Sequence, residues 1–342
     1  MSEIKISVII PTYNSQQTLE CTLKSIVEQS IGREKVEILV VDGGSGDQTI
    51  SIAQKYGAIV LKNEKKLPEI AKQIGFLHAK GKYGMFLDSD ESMKDRHSFE
   101  RRIEFLEKHQ DIKNFVSTGM ICEEGERALI RYTNHVADPF SFFVYRYNGC
   151  NRCEDLPKHY QYKKEGHAFL FYFKEHDVLP LFDAAGNMFD MEYAGELYEK
   201  AENKENFVAT IFDSMVYETR CAAIFDDDFV VHKPGMTARV YFNKLKWRVK
   251  NNVFPEKNEA IGFATRRGKS DKLQRRQYLF VPYCLFILPV LFDSIYQAVR
   301  NRDIIFLAHI IFAEYTFFWI AIYMAAKILK IPVTENKGYG KK

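Results

Sequence analysis

Short apolar runs alternate with amphipathic segments along the first hundred residues of the chain. Runs rich in valine and isoleucine predict four buried strands, over residues 6–10, 36–41, 58–61 and 83–87. A first helix is predicted to follow Asn14 or Ser15, either of which can cap it, with Leu19, Leu23, Ile26 and Val27 on one apolar face. Further helices are predicted over residues 49–56 and 68–78. Strands that alternate with helices indicate an α/β fold with a mostly parallel sheet and right-handed crossovers.

The middle of the chain has a less regular pattern. It is rich in aromatic residues, and short strands are predicted over Phe115–Met120 and Phe229–His232.

Two long apolar stretches follow, from Tyr278 to Val299 and from Ile304 to Leu329. Each has the ~20 residues that a membrane helix needs. Asp293 and Glu314 interrupt them, and a charge at mid-membrane costs about 2.5–3.5 kcal/mol. Three interpretations stay open: a spanning hairpin, two helices in the membrane interface, or a buried pair in a soluble domain. The cluster of basic residues before the first stretch favours membrane association at an anionic cytoplasmic surface: Arg266, Arg267, Lys269, Lys272, Arg275 and Arg276.

Two further features bear on how these stretches meet a membrane. Pro282 and Pro289 are expected to bend the first helix. A hairpin would return the C-terminal lysines 337, 341 and 342 to the cytoplasm, whereas Arg300 and Arg302 in its outer turn argue against it.

Charge and cysteine content narrow the class of protein. The net charge of +3 over 342 residues gives no indication of a nucleic-acid partner. The first residues do not form a secretory signal, so the catalytic part is expected in the cytoplasm with mostly reduced thiols. Cys150 and Cys153, with His159 and His167 beyond, are a weak zinc candidate because their spacing matches no standard finger.

Carboxylates follow two of the predicted strands. Asp42 and Asp88 stand at strand ends, where parallel sheets bind their ligands. Asp88 and Asp90 are two residues apart, so they project to one side of an extended segment. Mg²⁺ is held by one or two carboxylates plus substrate phosphates. The pattern predicts a metal–diphosphate site, and the alternative is a solvated acidic turn.

The first hundred residues resemble family 2 glycosyltransferases, which adopt the GT-A fold. The matching segments occur in the family's order: Val8-Ile9-Ile10-Pro11-Thr12-Tyr13-Asn14, Ser25-Ile26-Val27-Glu28-Gln29, Val40-Val41-Asp42-Gly43-Gly44-Ser45-Gly46-Asp47, and Phe86-Leu87-Asp88-Ser89-Asp90. The resemblance implies a Rossmann-like GT-A domain. The two apolar stretches, independently of it, predict a C-terminal helical membrane hairpin. The resemblance also implies inverting transfer of a sugar from a nucleotide-sugar donor, such as a UDP- or GDP-sugar, with Mg²⁺ or Mn²⁺ as cofactor.

The resemblance also assigns site residues. Pro11, Thr12, Tyr13 and Asn14 would line the nucleotide, and Asp42 would contact its base or ribose. The diphosphate and metal would be held by Lys72, Asp88, Ser89, Asp90 and His232, with the metal on Asp88, Asp90 and His232. Asp213 would be the base that deprotonates the acceptor hydroxyl, and Asp226, Asp227 and Asp228 form a competing cluster.

Several positions depart from the family pattern. Gly43 replaces a frequent second acid, which leaves the donor base open, and Lys72 replaces an arginine. The glutamate that usually precedes the catalytic aspartate is Phe212, although Arg220 follows as the family's arginine does. Residues 243–247 only faintly echo the motif of processive synthases, so addition of one sugar is expected.

These patterns divide the chain into four segments: a nucleotide-sugar-binding half over 1–110, an acceptor-binding half over 111–249, a basic juxtamembrane segment over 250–277 and two membrane-associated helices over 278–332. Within the second, Gly186–Phe189 resembles a segment that shapes the acceptor pocket. A membrane location favours a lipid-linked (polyprenyl) glycan as acceptor, at the cytoplasmic face of the cell membrane. Two alternatives are a non-catalytic binding or scaffold protein on the same fold and a sugar nucleotidyltransferase, which would need a glycine-rich loop where Pro11 to Asn14 stand.

Overall fold

The computed structural model of the chain describes residues 3–146, 152–180, 182, 185–204, 207–254 and 271–333. They belong to two compact units: residues 1–123 with 150–233, and residues 124–149 with 234–342. The second unit therefore includes residues 124–149 and 234–249, which the sequence places in the acceptor-binding half. The functional roles of the predicted segments stay predictions. Cys150, Arg266, Arg267, Lys269 and the C-terminal lysines 337, 341 and 342 lie outside the described residues.

Two sheets form the first unit. The strands are β1 (Ile6–Thr12), β2 (Val36–Asp42), β3 (Ile59–Lys62), β4 (Tyr83–Phe86), β5 (Glu91–Met93), β6 (Asn114–Val116), β7 (Met120–Ile121), β8 (Gln161–Glu165), β9 (Ala168–Tyr172), β10 (Met188–Asp190), β11 (Cys221–Phe225) and β12 (Val230–His232). Nine of them form the main sheet, in the order β3-β2-β1-β4-β10-β6-β11-β9-β8. The small sheet has the order β5-β12-β7.

The four strands predicted near the N-terminus are confirmed, and they pair in parallel. The valines and isoleucines of β1 and β2 are buried, as expected for a parallel sheet covered on both faces. The predicted strand over Phe115–Met120 is instead two strands in different sheets, β6 and β7. Antiparallel insertion of β10 between β4 and β6 was not predicted. Gly186–Phe189, expected to shape the acceptor pocket, leads into this buried strand.

Helices of the first unit are α1 (Leu19–Val27), α2 (Thr49–Lys55), α3 (Pro68–His78), α4 (Ser98–Lys108), α7 (Arg152–Asp155), α8 (Met191–Lys200) and α9 (Ile211–Thr219). The three predicted helices are confirmed. The prediction that Asn14 or Ser15 caps α1 is wrong, because α1 begins at Leu19 after Thr18. The backbone N–H groups of Asn14 and Ser15 donate instead to the hydroxyls of Ser45 and Thr49.

The helices of the second unit are α5 (Ala128–Val136), α6 (Pro139–Tyr145), α10 (Ala238–Val253), α11 (Asp271–Leu285), α12 (Leu288–Asn301) and α13 (His309–Ile328), with a 3-10 turn at Ile304–Ala308. The first apolar stretch is bent by 93° between α11 and α12, as the prolines predict. Among the described residues, Ile304–Ile328 is the one continuous helical segment long and apolar enough to cross a membrane.

A buried ion pair holds the small sheet to α4. Arg102 and Asp228 are fully buried, and the Arg102 Nε donates to Asp228 Oδ2 at 2.6 Å. Ser98 also donates to this oxygen, and another guanidinium N–H of Arg102 donates to the carbonyl of Gly186. Asp228 therefore fixes the turn before β12, which delivers His232.

Replacing Asp228 with alanine is expected to lower the free energy of unfolding by about 3–5 kcal/mol, because the Arg102 charge would stay buried without its partner. Denaturant unfolding of the purified protein measures this. The matched variant Asp227→Ala removes an exposed partner of Arg101 and is expected to cost less than about 1 kcal/mol. Equal losses for the two variants would contradict a special role for the buried pair.

Candidate active site

Lys72 and Asp88 form an ion pair at the carboxyl end of β4. The Lys72 ammonium lies 2.8 Å from Asp88 Oδ1, and the carboxylate is the more exposed partner. Helix α3 brings the lysine there, because it packs against β1 and β2. Burial lowers the pKa of the Lys72 ammonium, but the charges of Asp88 and Glu91 outweigh it and raise that pKa overall. Lys72 therefore keeps its positive charge beside the predicted metal motif.

Glu91 is a component of this site to which the sequence assigned no role. Its carboxylate is buried and accepts a hydrogen bond of 2.8 Å from the backbone N–H of Asp88. Burial, followed by the charges of Asp88 and Asp90, raises the pKa of Glu91 well above its usual range. Glu91 fixes the turn that presents the two aspartates. In the sequence, Glu91 is the third acid after the fourth predicted strand, and that position was the only signal of a role. The sequence does not show that its carboxylate is buried.

Asp90 and His232 are brought together by the small sheet. His232 pairs with Glu91 in the antiparallel register of β12 and β5. The backbone N–H of Lys233 donates to the carbonyl of Asp90, and His232 Nε2 lies 3.7 Å from Asp90 Oδ2. Two residues far apart in the sequence, predicted as metal ligands on separate grounds, thus lie side by side with both side chains partly exposed.

Hydrogen bonds join the loop after β1 to the loop after β2. Pro11 and Thr12 end β1, opposite Val41 and Asp42 of β2. Asn14 has φ of 52°, and its side-chain oxygen accepts from the N–H of Gly46 at 2.9 Å. Ser89 donates to the hydroxyl of Ser15 at 2.9 Å, which joins this loop to the metal motif.

Asp42 is buried and its carboxylate organises the second loop. It accepts hydrogen bonds from Thr12 Oγ1 at 3.0 Å, from the N–H groups of Gly44 and Ser45 at 2.8 Å, and from Ser45 Oγ at 2.5 Å. Four bonds occupy both of its oxygens. The structure thus gives Asp42 a loop-forming role, and its predicted contact with the base or ribose stays a prediction.

Tyr13, Gly43 and Lys66 form the exposed surface beside this loop. The Tyr13 ring is half exposed, and the Lys66 ammonium lies 5.6 Å from its centroid. A Cβ at Gly43 would lie 3.3 Å from the Tyr13 ring and 3.6 Å from Lys66 Cα. Glycine at this position, where the family often has an acid, therefore lets the aromatic ring and the lysine backbone approach closely.

Asp213 stands in the first turn of α9, partly exposed. The preceding Phe212 is buried and packs edge-on against Phe86, the last residue of β4, with centroids 6.3 Å apart. This contact ties the start of α9 to the strand end that delivers Asp88. Arg220 matches the arginine that follows the catalytic aspartate in the family. It is the C-cap residue at the opposite end of α9, and its guanidinium lies over the Tyr217 ring.

The competing acidic cluster has other partners. Asp228 belongs to the buried pair with Arg102, and Asp227 pairs with Arg101 at 2.6 Å. Asp226 accepts from His167 Nδ1 at 2.8 Å. In the part of the chain that the structure describes, His167, Asp226 and Asp227 are the one group of three potential ligands whose atoms all lie within 4.8 Å. This cluster is a second candidate cation site, and the alternative that it supplies the base stays a prediction.

The zinc candidate receives no support from Cys153. Its thiol contacts the carbonyl of Phe225, and burial raises its pKa to about 12, which disfavours the thiolate that zinc requires. His159 packs beside Tyr160 and His167 is bound to Asp226.

The family comparison covers the N-terminal part of this site, including Lys72, Asp88 and Asp90, but not Asp213 or His232. Residues 7–161 match the family described as glycosyl transferase family 2. Less than half of the chain thus matches a family 2 glycosyltransferase domain, and most of the matched residues lie in a unit built on a mixed α/β sheet.

Curated relatives match the same region. The poly(ribitol-phosphate) beta-N-acetylglucosaminyltransferase TarS of Staphylococcus aureus strain Mu50 is 32% identical over 120 residues, covering 32% of this chain and 20% of the relative. The putative teichuronic acid biosynthesis glycosyltransferase TuaG of Bacillus subtilis is 30% identical over 126 residues, covering 35% of this chain and 49% of the relative. The match thus spans less than half of each.

Solved structures show a more distant likeness. The mannosyltransferase PcManGT from Pyrobaculum calidifontis, in complex with GDP-Man and Mn²⁺, is 16% identical with a TM-score of 0.49, covering 92% of this chain and 87% of that one. Residues 1–349 of S. aureus TarS in complex with UDP-GlcNAc are 14% identical with a TM-score of 0.47, covering 95% and 92%.

Proposed function

We propose that this protein transfers one sugar, with inversion, from a nucleotide-sugar donor to an acceptor, in a reaction that depends on Mg²⁺ or Mn²⁺. The match of residues 7–161 to family 2 glycosyltransferases supports the donor class. The observation that carries the proposal is the meeting of Asp90 and His232 beside the Lys72–Asp88 pair. A solvated acidic turn would require neither the histidine nor the mostly buried lysine.

The residues at this strand end fit a divalent ion. Asp88 and Asp90 offer hard carboxylate oxygens and His232 offers an imidazole nitrogen, a donor set that Mg²⁺ or Mn²⁺ accepts. When bound there, the ion would neutralise charge on the departing nucleoside diphosphate. Lys72 would add a fixed positive charge to the same diphosphate, and Ser89 would donate a hydrogen bond.

Asp213 is the proposed general base. Its carboxylate would accept the proton of the acceptor hydroxyl as that oxygen attacks the sugar. The first turn of a helix favours a negative charge, because the N-terminal end of the helix dipole is positive. The contact of Phe212 with Phe86 holds this turn against the strand that ends in the metal motif.

The proposed acceptor is a lipid-linked or polymeric glycan at the cytoplasmic face of the cell membrane. Most of the large apolar side chains that the structure exposes lie between residues 278 and 331, which supports membrane association. Relatives named for teichoic and teichuronic acid biosynthesis favour a glycan acceptor.

Replacing Lys72 with alanine is expected to weaken binding of nucleoside diphosphate about tenfold or more, because a charge-assisted contact is lost. Calorimetry of UDP or GDP in the presence of Mn²⁺ measures this. Lys72→Arg keeps the charge and the family's usual residue, so it should bind within a few-fold of the unmodified protein. Unchanged binding by Lys72→Ala would remove the lysine from the diphosphate site.

A donor screen tests the proposed function directly. UDP-, GDP- and dTDP-sugars are titrated by calorimetry into the detergent-solubilised protein, with Mn²⁺ and with a chelator. Binding of one donor that requires the metal supports the proposal. Failure of every donor on folded protein would favour the non-catalytic scaffold, with Gly43 as the first position to examine.

A further inference from the structure

Helix α12 is amphipathic in the opposite sense to a helix on the surface of a soluble protein. Its exposed face is an uninterrupted apolar stripe at helical spacing: Leu288, Leu291, Phe292, Ile295, Tyr296 and Val299. Its buried face carries Asp293, Ser294 and Gln297. Tyr283 donates to the carboxylate of Asp293 at 2.9 Å and Arg146 pairs with it at 3.1 Å. The polar groups are satisfied inside the unit, so the apolar stripe faces a medium that is not water.

This stripe is too short to cross a bilayer. At 1.5 Å per residue, the 14 residues of α12 extend about 21 Å, whereas the hydrocarbon core is about 30 Å thick. The 93° bend prevents α11 from extending it in line. The corner between them exposes Leu285, Phe286, Ile287 and Leu288. The bent pair of α11 and α12 therefore has a shape suited to insertion into one surface of a bilayer, not to crossing it.

Helix α13 is long enough to cross, but a cationic helix accompanies it. Tyr241 of α10 lies against Phe312, Lys246 lies 3.7 Å from the Trp319 ring centroid, and Lys327 donates to the carbonyl of Val253. The two helices thus run side by side along most of α13. Within α10 are Arg239, Lys244, Lys246, Arg248 and Lys250, and no acidic residue. If α13 crossed the bilayer, these cations would be carried into the hydrocarbon core, where charge is costly.

We infer that the second unit is a monotopic anchor: it enters one leaflet of an anionic bilayer, and none of α11, α12 and α13 crosses. Helix α10 then lies on the aqueous side of α13, and the stripe of α12 lies among the acyl chains. Lys272, Arg275 and Arg302 are exposed at the ends of the bent pair and would meet anionic headgroups. The arrangement also explains Arg300 and Arg302, which a hairpin would place on the far side.

Thiol labelling in sealed inside-out membrane vesicles tests the topology of the full chain. Arg302→Cys and Lys330→Cys are each made in a background without other cysteines, and a variant that retains only the exposed Cys21 marks the catalytic side. An impermeant maleimide should label all three equally before detergent is added. Protection of either new cysteine until detergent is added would show a spanning helix, and recovery of the protein in the soluble fraction would also overturn the inference.

The apolar stripe is tested by vesicle flotation. Leu291→Glu with Ile295→Glu should lower partition of the full-length protein onto phosphatidylglycerol-containing vesicles at least tenfold. A matched pair on the first unit, Ile59→Glu with Leu77→Glu, also replaces exposed apolar residues and should leave partition within about twofold. Vesicles of phosphatidylcholine alone should bind the unmodified protein more weakly. Equal flotation of the stripe variant and the unmodified protein would overturn the inference.

Neither test depends on sugar transfer. Donor binding in detergent reports on the proposed function, so a failure of the anchor and a failure of the catalytic site give different results.

Discussion

Replacement of Asp90 by alanine is expected to lower the rate of sugar transfer about 10²- to 10³-fold, the usual cost of losing a group that stabilises transition-state charge. Asp90 lies 3.7 Å from His232, so His232→Ala should show a smaller loss in the same direction. In both variants the Mn²⁺ concentration for half-maximal rate should rise. Release of nucleoside diphosphate, measured across a series of Mn²⁺ concentrations, gives both quantities.

The second cation cluster provides the matched control for this experiment. Asp226→Asn removes a carboxylate that contacts His167, while Asp88 and Asp90 stay in place. Its rate and its Mn²⁺ dependence should match those of the unmodified protein. If Asp226→Asn lost activity and Asp90→Ala kept it, the catalytic metal would belong to the cluster of His167.

Replacement of Asp213 by asparagine is expected to lower the turnover number about 10²- to 10⁴-fold while donor affinity changes little, because a general base acts only in the chemical step. Asparagine keeps the size of the side chain and cannot accept the proton in the same way. Initial rates with saturating donor, together with donor calorimetry on the same variant, separate chemistry from binding.

Glu218→Gln is the control for this second prediction, since Glu218 is exposed toward the other end of the same helix. It should leave both turnover and donor affinity unchanged. Near-normal turnover of Asp213→Asn would place the base elsewhere, and weakened donor binding would show that Asp213 contacts the donor.

The sequence predicted the parts of the site that local pattern determines. Apolar runs located β1, β2 and β4, the last two ending at acids, and the spacing of Asp88 and Asp90 pointed to a metal. The resemblance to the family assigned His232 and Lys72 to the same site. In the structure Lys72 forms an ion pair with Asp88, and His232 lies beside Asp90.

Features that depend on long-range packing were missed. Nothing near Asp228 in the sequence shows that Arg102 neutralises it. Nothing near Asp42 shows that Thr12, on another strand, donates to its carboxylate. The N-terminal cap of α1 was misplaced because Asn14 and Ser15 bond to a second loop rather than to the helix.

The C-terminal helices show the same limit. Asp293 looked like a cost of membrane insertion, yet Arg146, from a distant segment, pairs with it. Hydropathy identified both apolar stretches but not which face each helix buries. The contact of α10 with α13 depends on tertiary structure, and it is the observation that bears most on topology.

The most direct test of the proposed metal–diphosphate site is a titration of bound Mn²⁺ by electron paramagnetic resonance in the presence of the nucleoside diphosphate that the donor screen selects. One Mn²⁺ per chain is expected for the unmodified protein and for Asp226→Asn, with binding lost in Asp90→Ala. Binding that survives in Asp90→Ala and disappears in Asp226→Asn would contradict the assignment of the metal to Asp88, Asp90 and His232.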